Sequence, residues 1–103
     1  MKRYRIRIVP KAEEHLAEIT AWWRTNRPEH PTLVMEELRA ALRVLAVFPD
    51  AGLDHRPRRR PRIQKALLKR SRYYVYYRAL VDERVVEILA IWSTRKAKGP
   101  PLG

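Results

Sequence analysis

The segment from Val85 to Trp92 constrains the fold most, because it is apolar on nearly both faces. Alternate residues of an extended chain point to opposite sides, and Glu87 is the only charged residue in this segment. A strand with two apolar faces needs cover on both and belongs in the interior of a sheet. We therefore expect a sheet with 85–92 as a central strand, in which Leu89 and Ile91 share a face.

Three further segments show the two-residue alternation that is typical of strands. Residues 3–9 alternate basic with apolar side chains and end before Pro10, which cannot donate to a strand ladder. Residues 62–69 and 72–80 come later, and short polar turns join the last three strands as antiparallel neighbours. The sheet is therefore expected to be four-stranded and mostly antiparallel.

Two segments between the first and second strands have apolar residues at helical spacing. One spans residues 11–26, and the other begins near Pro31 and ends before the turn Pro49-Asp-Ala-Gly52. The short connection between them predicts an antiparallel helical hairpin with Trp22 and Trp23 in its core. The order β-α-α-β-β-β indicates an α+β fold in which this hairpin packs on the sheet.

The 103 residues suit a single domain. Residues 53–61 are basic and framed by prolines, and we expect them to form a loop that is neither helix nor central strand. Residues 97–103 are expected to be a short flexible tail. No segment approaches the ~18 apolar residues of a membrane span, and no leader pattern opens the chain. The sequence therefore predicts a soluble cytoplasmic protein.

Positive charge is concentrated in the second half of the chain. Of the net charge of +12, residues 1–54 contribute +1 and residues 55–103 contribute +11. No acidic residue occurs between His55 and Val81. This asymmetry indicates a polyanionic partner, which is either nucleic acid or a strongly acidic protein. A basic surface kept for solubility is the alternative.

The residue types exclude several kinds of active site. The chain has no cysteine and three glycines, which leaves no thiolate nucleophile and no glycine-rich phosphate loop. His15, His30 and His55 lack the spacing of metal ligands. Neither Ser71 nor Ser93 has a histidine in its strand to activate it. We therefore expect no metal and no cofactor.

Cations and tyrosines on the sheet remain as candidates for chemistry. Four of them share one face of the strand at 72–80, namely Arg72, Tyr74, Tyr76 and Arg78. Tyr73 and Tyr77 point to the opposite face, where we expect them to fill the core. Arginine binds phosphate through a planar fork, and tyrosine offers a stacking surface. This face can therefore bind RNA and, in a tight site, cleave it without a metal.

The order of elements and three motifs resemble the RelE/ParE superfamily of bacterial toxins. The motifs are Pro49-x-x-Gly52, Arg72-Tyr-Tyr-Val-Tyr-Tyr77 and Val86-x-Ile88-Leu-x-Ile-Trp-Ser-Thr-Arg95. The resemblance covers almost the whole chain and implies the toxin of a type II toxin–antitoxin pair. It also implies a cognate antitoxin, whose acidic and partly disordered segment holds the toxin inactive in a hetero-oligomer.

The superfamily contains toxins with two mechanisms. RelE-like members cleave mRNA on the ribosome, and ParE-like members inhibit DNA gyrase. The RelE pattern implies a catalytic set, here Lys65, Lys69, Arg72 and Arg95, but no tyrosine follows Tyr77 to supply the one near the C-terminus. The longer helical hairpin resembles ParE and the plasmid-stabilisation toxins. We therefore favour inhibition of gyrase by protein contact, without catalysis.

Three hypotheses remain open at this point: a ParE-like toxin that inhibits growth, a RelE-like endonuclease that depends on the ribosome, and a non-catalytic module that binds nucleic acid. In each of them the basic surface is expected to contact the target or the antitoxin. Its residues are Arg56, Arg58, Arg59, Arg60, Arg62, Arg72, Tyr74, Tyr76, Arg78, Arg95, Lys96 and Lys98.

Overall fold

The computed structural model describes residues 3–102, in which two helices and five strands are found. In chain order these are β1 (Arg5–Ile8), α1 (Pro10–Asn26), α2 (Leu33–Val47), β2 (Leu53–Arg56), β3 (Ile63–Leu68), β4 (Tyr73–Leu80) and β5 (Val85–Ser93). Pro10 opens α1 because its fixed φ suits the first helical position and its missing N–H would be unpaired there. Over this part of the chain, neither helix has the length and hydropathy needed to cross a membrane.

The strands form one sheet in the order β1-β5-β4-β3-β2. Because β5 lies between β1 and β4, the predicted interior position of Val85–Trp92 is confirmed. β1 runs parallel to β5, whereas the other neighbours are antiparallel. The predicted class, an α+β fold with a helical hairpin on a mostly antiparallel sheet, is also confirmed.

The number of strands differs from the predicted four. The additional strand is β2, which lies within the predicted loop at 53–61 and pairs antiparallel with β3. It has one neighbour only, it carries mostly polar side chains, and the register shifts at His55. A short edge strand of this kind shows no apolar alternation that a sequence pattern could reveal. The loop is therefore confined to residues 57–62.

A β-bulge in β5 changes which of its side chains share a face. Between Tyr76 and Tyr77 of β4 the register shifts, and β5 carries one extra residue at Leu89. Leu89 packs on the face away from the helices, while Ile91 is buried in the core beneath them. The expectation that these two residues share a face is wrong, because the alternation is interrupted at the bulge.

The main core lies between the helices and one face of the sheet. Its most buried side chains are Val34, Leu38, Leu45, Val75, Tyr77, Val86, Ile88 and Ile91. Tyr73 packs against this core and its hydroxyl accepts a hydrogen bond from Trp23 Nε1 at 3.1 Å. The predicted core positions of Tyr73, Tyr77 and Trp23 are confirmed. Trp22, by contrast, is 46% exposed, because it lies beside the buried stripe of α1 rather than on it.

The Pro49-x-x-Gly52 turn after α2 is tied to the sheet by the hydroxyl of Tyr77. This oxygen donates to the Pro49 carbonyl at 2.8 Å and accepts the Gly52 N–H at 2.9 Å. The Gly52 carbonyl in turn accepts a hydrogen bond from Gln64 Nε2 at 3.1 Å. Burial raises the pKa of the Tyr77 phenol, so the hydroxyl keeps the proton that it donates. One core tyrosine thus fixes the turn that leads into β2.

Candidate binding surface on the sheet

The face of the sheet away from the helices carries a cluster of aromatic and basic side chains. Lys65 lies opposite Tyr76 in the β3–β4 ladder. Its Nζ is 4.3 Å from the centre of the Tyr74 ring and 6.0 Å from that of Tyr76. The His55 ring packs edge-on against Tyr76, with ring centres 4.9 Å apart. The strand register thus brings three predicted site residues together, and His55 joins them from the edge strand.

The C-terminal segment covers part of this face. Leu102 packs against the apolar cluster that contains Tyr76, and Trp92 Nε1 donates to the Lys98 carbonyl at 2.8 Å. Tyr76 is only 4% exposed, and burial raises the pKa of its phenol. Tyr76 is therefore less accessible than a binding surface requires. The flexibility of residues 97–103, the last of which lies outside the described region, stays a prediction.

Two arginines of the predicted surface are already paired with acids. The Glu87 carboxylate lies 2.6 Å from the Arg78 guanidinium and 2.8 Å from that of Arg7. Burial raises the pKa of Glu87, but hydrogen bonds from the two arginines outweigh it and hold the pKa below its usual value. Arg62 forms a similar pair with Asp50 at 2.7 Å. Arg62 is therefore neutralised, whereas Arg7 and Arg78 share a single carboxylate and together keep one net positive charge.

Replacing Glu87 with alanine leaves Arg7 and Arg78 without the carboxylate that they share. We expect the free energy of unfolding to fall by roughly 1–2 kcal/mol, since water screens part of an ion pair that includes exposed arginine side chains. Urea unfolding of Glu87→Ala measures the loss, and Asp82→Ala in the β4–β5 turn is the control with the same change in charge. Equal losses in the two variants would contradict a specific role for Glu87.

The other cations of the surface form two groups at opposite ends of β3 and β4. The loop group begins at Arg56, the last residue of β2, and continues with Arg58, Arg59 and Arg60 in the loop. The turn group lies where β4 begins and β5 ends and consists of Lys69, Arg72, Arg95, Lys96 and Lys98. Within residues 3–102 no member of either group forms an ion pair with an acidic side chain.

The four residues of the implied ribonuclease set do not converge on one point. Arg72 and Arg95 line a single cleft beside the start of β4. Lys65 lies in β3 and Lys69 in the turn after it, four residues later, which is about 13 Å in an extended chain. Neither lysine lines the cleft. Their catalytic roles stay a prediction. Among residues 3–102, moreover, no three His, Asp or Glu side chains are grouped closely enough to hold a metal ion.

The same cleft contains two cations that the sequence pattern did not reveal, Arg27 and Arg70. The Arg27 guanidinium, just after α1, lies 5.2 Å from the centre of the Trp22 ring. Arg70 lies in the β3–β4 turn, where its N–H and that of Ser71 donate to the Glu37 carboxylate at 2.9 and 2.8 Å. These cations come from separate elements, so only the tertiary fold brings them into one site.

His15 closes the edge of the sheet where β1 stops. The β1–β5 pairing ends at Ile88, and beyond it the Ile91 N–H donates to His15 Nδ1 at 3.3 Å. The ring also packs edge-on against Trp92, with ring centres 5.3 Å apart. Burial lowers the pKa of His15, and the nearby charge of Lys11 lowers it further. The folded chain therefore favours the neutral ring, which can accept this hydrogen bond.

Acidification is expected to weaken the fold through His15. Its folded pKa lies below the ~6.5 of an unfolded histidine, so its contribution to stability is complete above that pH and is lost as the pH falls. His55 acts in the same direction, since burial and then Lys65 lower its pKa. Urea unfolding at about pH 7.5 and about pH 5.5 measures how much the free energy of unfolding falls on acidification. This fall should be smaller for His15→Asn than for the unsubstituted protein, because asparagine keeps an acceptor but does not titrate. An equal fall in the free energy of unfolding with and without the substitution would contradict a role for His15 in the pH dependence.

A match to a protein-family model identifies the family of the chain, and similarity to solved structures identifies its fold. The family model for the ParE toxin of type II toxin–antitoxin system, parDE, matches residues 6–98. No curated protein matches the chain by sequence. A chain of the chromosomal ParDE toxin–antitoxin system from P. aeruginosa is similar in structure, with a TM-score of 0.68, 20% identity, and coverage of 88% of this chain and 96% of that one.

Two structures of the E. coli toxin RelE are also similar. A mutant in the free state gives a TM-score of 0.59 at 21% identity, covering 92% of this chain and 87% of that one. The isolated toxin gives a TM-score of 0.60 at 22% identity, covering 92% of this chain and 88% of that one. At such identities the structures share a fold, and the family match extends from β1 through all later elements. The chain is a toxin of the ParE family of type II toxin–antitoxin systems, within the RelE/ParE superfamily.

Proposed function

We propose that this toxin stops growth by inhibiting DNA gyrase through protein contact, and that a cognate acidic antitoxin neutralises it. The observation that carries the proposal is the match to the ParE family over residues 6–98. The net charge of +11 in residues 55–103 favours an acidic partner. The structural neighbour from P. aeruginosa belongs to a ParDE toxin–antitoxin system, which supports the same kind of partner here.

The arrangement of the cations also favours a contact mechanism over catalysis. A metal-free ribonuclease needs its proton-transfer groups and its phosphate-binding groups within reach of one phosphate. Lys65 is engaged with tyrosine rings in the middle of β3, while Arg72 and Arg95 lie at the end of the sheet. Separate groups of exposed cations suit recognition of a large surface, as inhibition by binding requires.

A supercoiling assay tests the gyrase target. The purified toxin is expected to inhibit supercoiling of relaxed plasmid DNA by gyrase in a dose-dependent manner. Relaxation of the same plasmid by a type I topoisomerase is the control, because a protein of net charge +12 that merely coats DNA inhibits both enzymes. Full gyrase activity at saturating toxin overturns the proposal. Equal inhibition of the two enzymes assigns the protein to non-catalytic nucleic-acid binding.

Expression in bacteria tests the toxin–antitoxin assignment separately. Induction of the toxin alone is expected to arrest growth, and co-expression of the acidic protein encoded beside it is expected to restore growth. A frameshifted toxin gene controls for the burden of expression. Normal growth with intact, soluble toxin would contradict the assignment, whatever the gyrase assay shows.

A RelE-like endonuclease is the second candidate, and the pair Arg72 and Arg95 in one cleft favours it. The shared fold with E. coli RelE is compatible with this activity. Toxin added to a translating extract should then cut mRNA, and Arg95→Ala should abolish the cuts while Arg39→Ala on α2 retains them. Uncut message in the presence of active translation eliminates this candidate.

A further inference from the structure

A narrow cleft of about 140 Å³ lies where the end of α1 meets the β3–β4 turn. Every charged residue of its lining is an arginine, and the four are Arg27, Arg70, Arg72 and Arg95. Among residues 3–102, no acidic side chain lies within the 4.0 Å ion-pair distance of their guanidinium groups, although Glu37 accepts the backbone N–H of Arg70. Like charges gathered in one cleft repel each other, and an anion bound among them relieves that repulsion.

The cleft is held in place by backbone contacts. Arg72 has a φ of 67°, a left-handed conformation that is unfavourable for a residue other than glycine. It is retained because the Arg72 N–H donates to the Leu68 carbonyl at 2.8 Å and the Arg72 carbonyl accepts the Thr94 N–H at 3.0 Å. Arg70 is fixed by Glu37 through its N–H. Two of the four cations are therefore on preorganised backbone.

A depression of about 340 Å³ adjoins the arginine cleft between α1 and the end of β5, and apolar residues share its lining with His15, Glu18, Arg95 and Lys96. The two share Trp22, Tyr73, Ser93 and Arg95 as lining residues. Ile19, Ile91 and Trp92 are among the apolar residues that line the depression. A ligand that fills both must therefore combine an apolar group with one or more anionic groups a few ångströms away.

The aromatic rings beside the cleft distinguish between two kinds of anion. One face of Trp22 is covered by Arg27 at 5.2 Å, and Lys96 Nζ lies 4.0 Å from the centre of the Trp92 ring. Nucleic acid bases need a free ring face for stacking, and a cation covers one of the two faces of each of these rings. Carboxylates need only the guanidinium forks, which bind them in a bidentate manner.

We propose that the cleft binds an acidic peptide segment, with an apolar side chain in the depression and carboxylates on the four arginines. In the cell the segment belongs to the antitoxin, and that attribution alone rests on the proposed function. The bound antitoxin then covers the junction of α1 with the β3–β4 turn, in addition to any part of the open sheet face.

Calorimetric titration of the full chain tests the proposal with a defined probe. The probe is the capped hexapeptide Asp-Leu-Glu-Asp-Leu-Glu, and the comparison ligands are its uncharged analogue Asn-Leu-Gln-Asn-Leu-Gln and a thymidine hexanucleotide. We expect the acidic peptide to bind and its uncharged analogue not to bind. Absence of acidic-peptide binding, or displacement of the bound peptide by an equal concentration of the hexanucleotide, overturns the proposal.

Two double variants show whether the binding depends on the cleft. Arg27→Gln with Arg95→Gln is expected to weaken peptide binding roughly tenfold or more, since charge-assisted hydrogen bonds are lost. Arg39→Gln with Arg43→Gln removes the same charge from the exposed side of α2 and should leave the affinity unchanged. If both double variants weakened peptide binding equally, the effect would be due to net charge alone, and the proposal would be overturned. Thermal unfolding of both variants confirms that each is folded.

Failure of this inference is distinguishable from failure of the proposed function. Growth arrest by a toxin that does not bind the peptide rejects the cleft alone. Peptide binding by a protein that does not arrest growth rejects the toxin assignment, while the cleft remains a site for acidic peptides.

Discussion

Substituting alanine for Gly52 is expected to remove about 3–4 kcal/mol from the free energy of unfolding, a large part of the roughly 5–15 kcal/mol of a small domain. A Cβ at this position would lie 2.5 Å from Tyr77 Oη and 2.8 Å from the Lys65 carbonyl oxygen. Neither neighbour can withdraw, because Tyr77 is fully buried and the carbonyl belongs to β3. The turn is therefore forced away from the sheet and loses its hydrogen bonds to Tyr77.

Gly99→Ala is the matched control for this substitution. Its Cβ would meet only Tyr76 Oη, at an ordinary contact distance of 3.8 Å. Tyr77→Phe separates the clash from the hydrogen bonds, since it removes the bonds without adding an atom, and it should cost about 1–3 kcal/mol. Urea unfolding monitored by tryptophan fluorescence measures all three variants. A Gly52→Ala protein as stable as Gly99→Ala would show that the turn adapts, against our expectation.

Glu37→Ala is expected to cost about 2–3 kcal/mol and to loosen the arginine cleft. This carboxylate of α2 accepts the N–H groups of Arg70 and Ser71, and Ser71 is buried. Burial raises the pKa of Glu37, but the hydrogen bonds that its carboxylate accepts from the Arg70 and Ser71 N–H groups outweigh this effect and lower the pKa below the usual 4.5. The contribution of Glu37 is therefore complete above that pH and is lost as the pH falls further.

Glu36→Ala is the control, because Glu36 is the adjacent acid and is exposed. Thermal unfolding gives the change in stability, and amide hydrogen exchange reports the local effect on the turn. The Ser71 amide should exchange faster in Glu37→Ala than in Glu36→Ala, since its acceptor has been removed. Identical exchange in the two variants would mean that the turn is held by other contacts.

The parts of the fold that the sequence predicts are those in which burial determines residue type. The apolar segment at 85–92 predicted an interior strand because both of its faces are covered. β2 shows no apolar pattern in the sequence, since an edge strand with polar side chains resembles a loop. The bulge at Leu89 was hidden for a different reason: both faces of β5 are apolar, so a shift of one residue leaves the pattern unchanged.

The sequence likewise predicts some features of the candidate surface and not others. Strand alternation was enough to place Tyr74 and Tyr76 on one face, and the charge distribution indicated the half of the chain that carries the cations. The pairing of Arg78 with Glu87 and the cover that Leu102 gives to Tyr76 depend on tertiary contacts. No local pattern encodes them, because each partner comes from a different element.

The parallel pairing of β1 with β5 joins the first and the last of the five described strands. During synthesis, β1 has no partner strand until β5 has been translated. Pairing between strands so distant in sequence is also slow to form, and translation at about 5–20 residues per second adds seconds to the wait. The emergence of β5 from the ribosome is therefore the earliest moment at which the completed sheet exists for a target or an antitoxin to recognise.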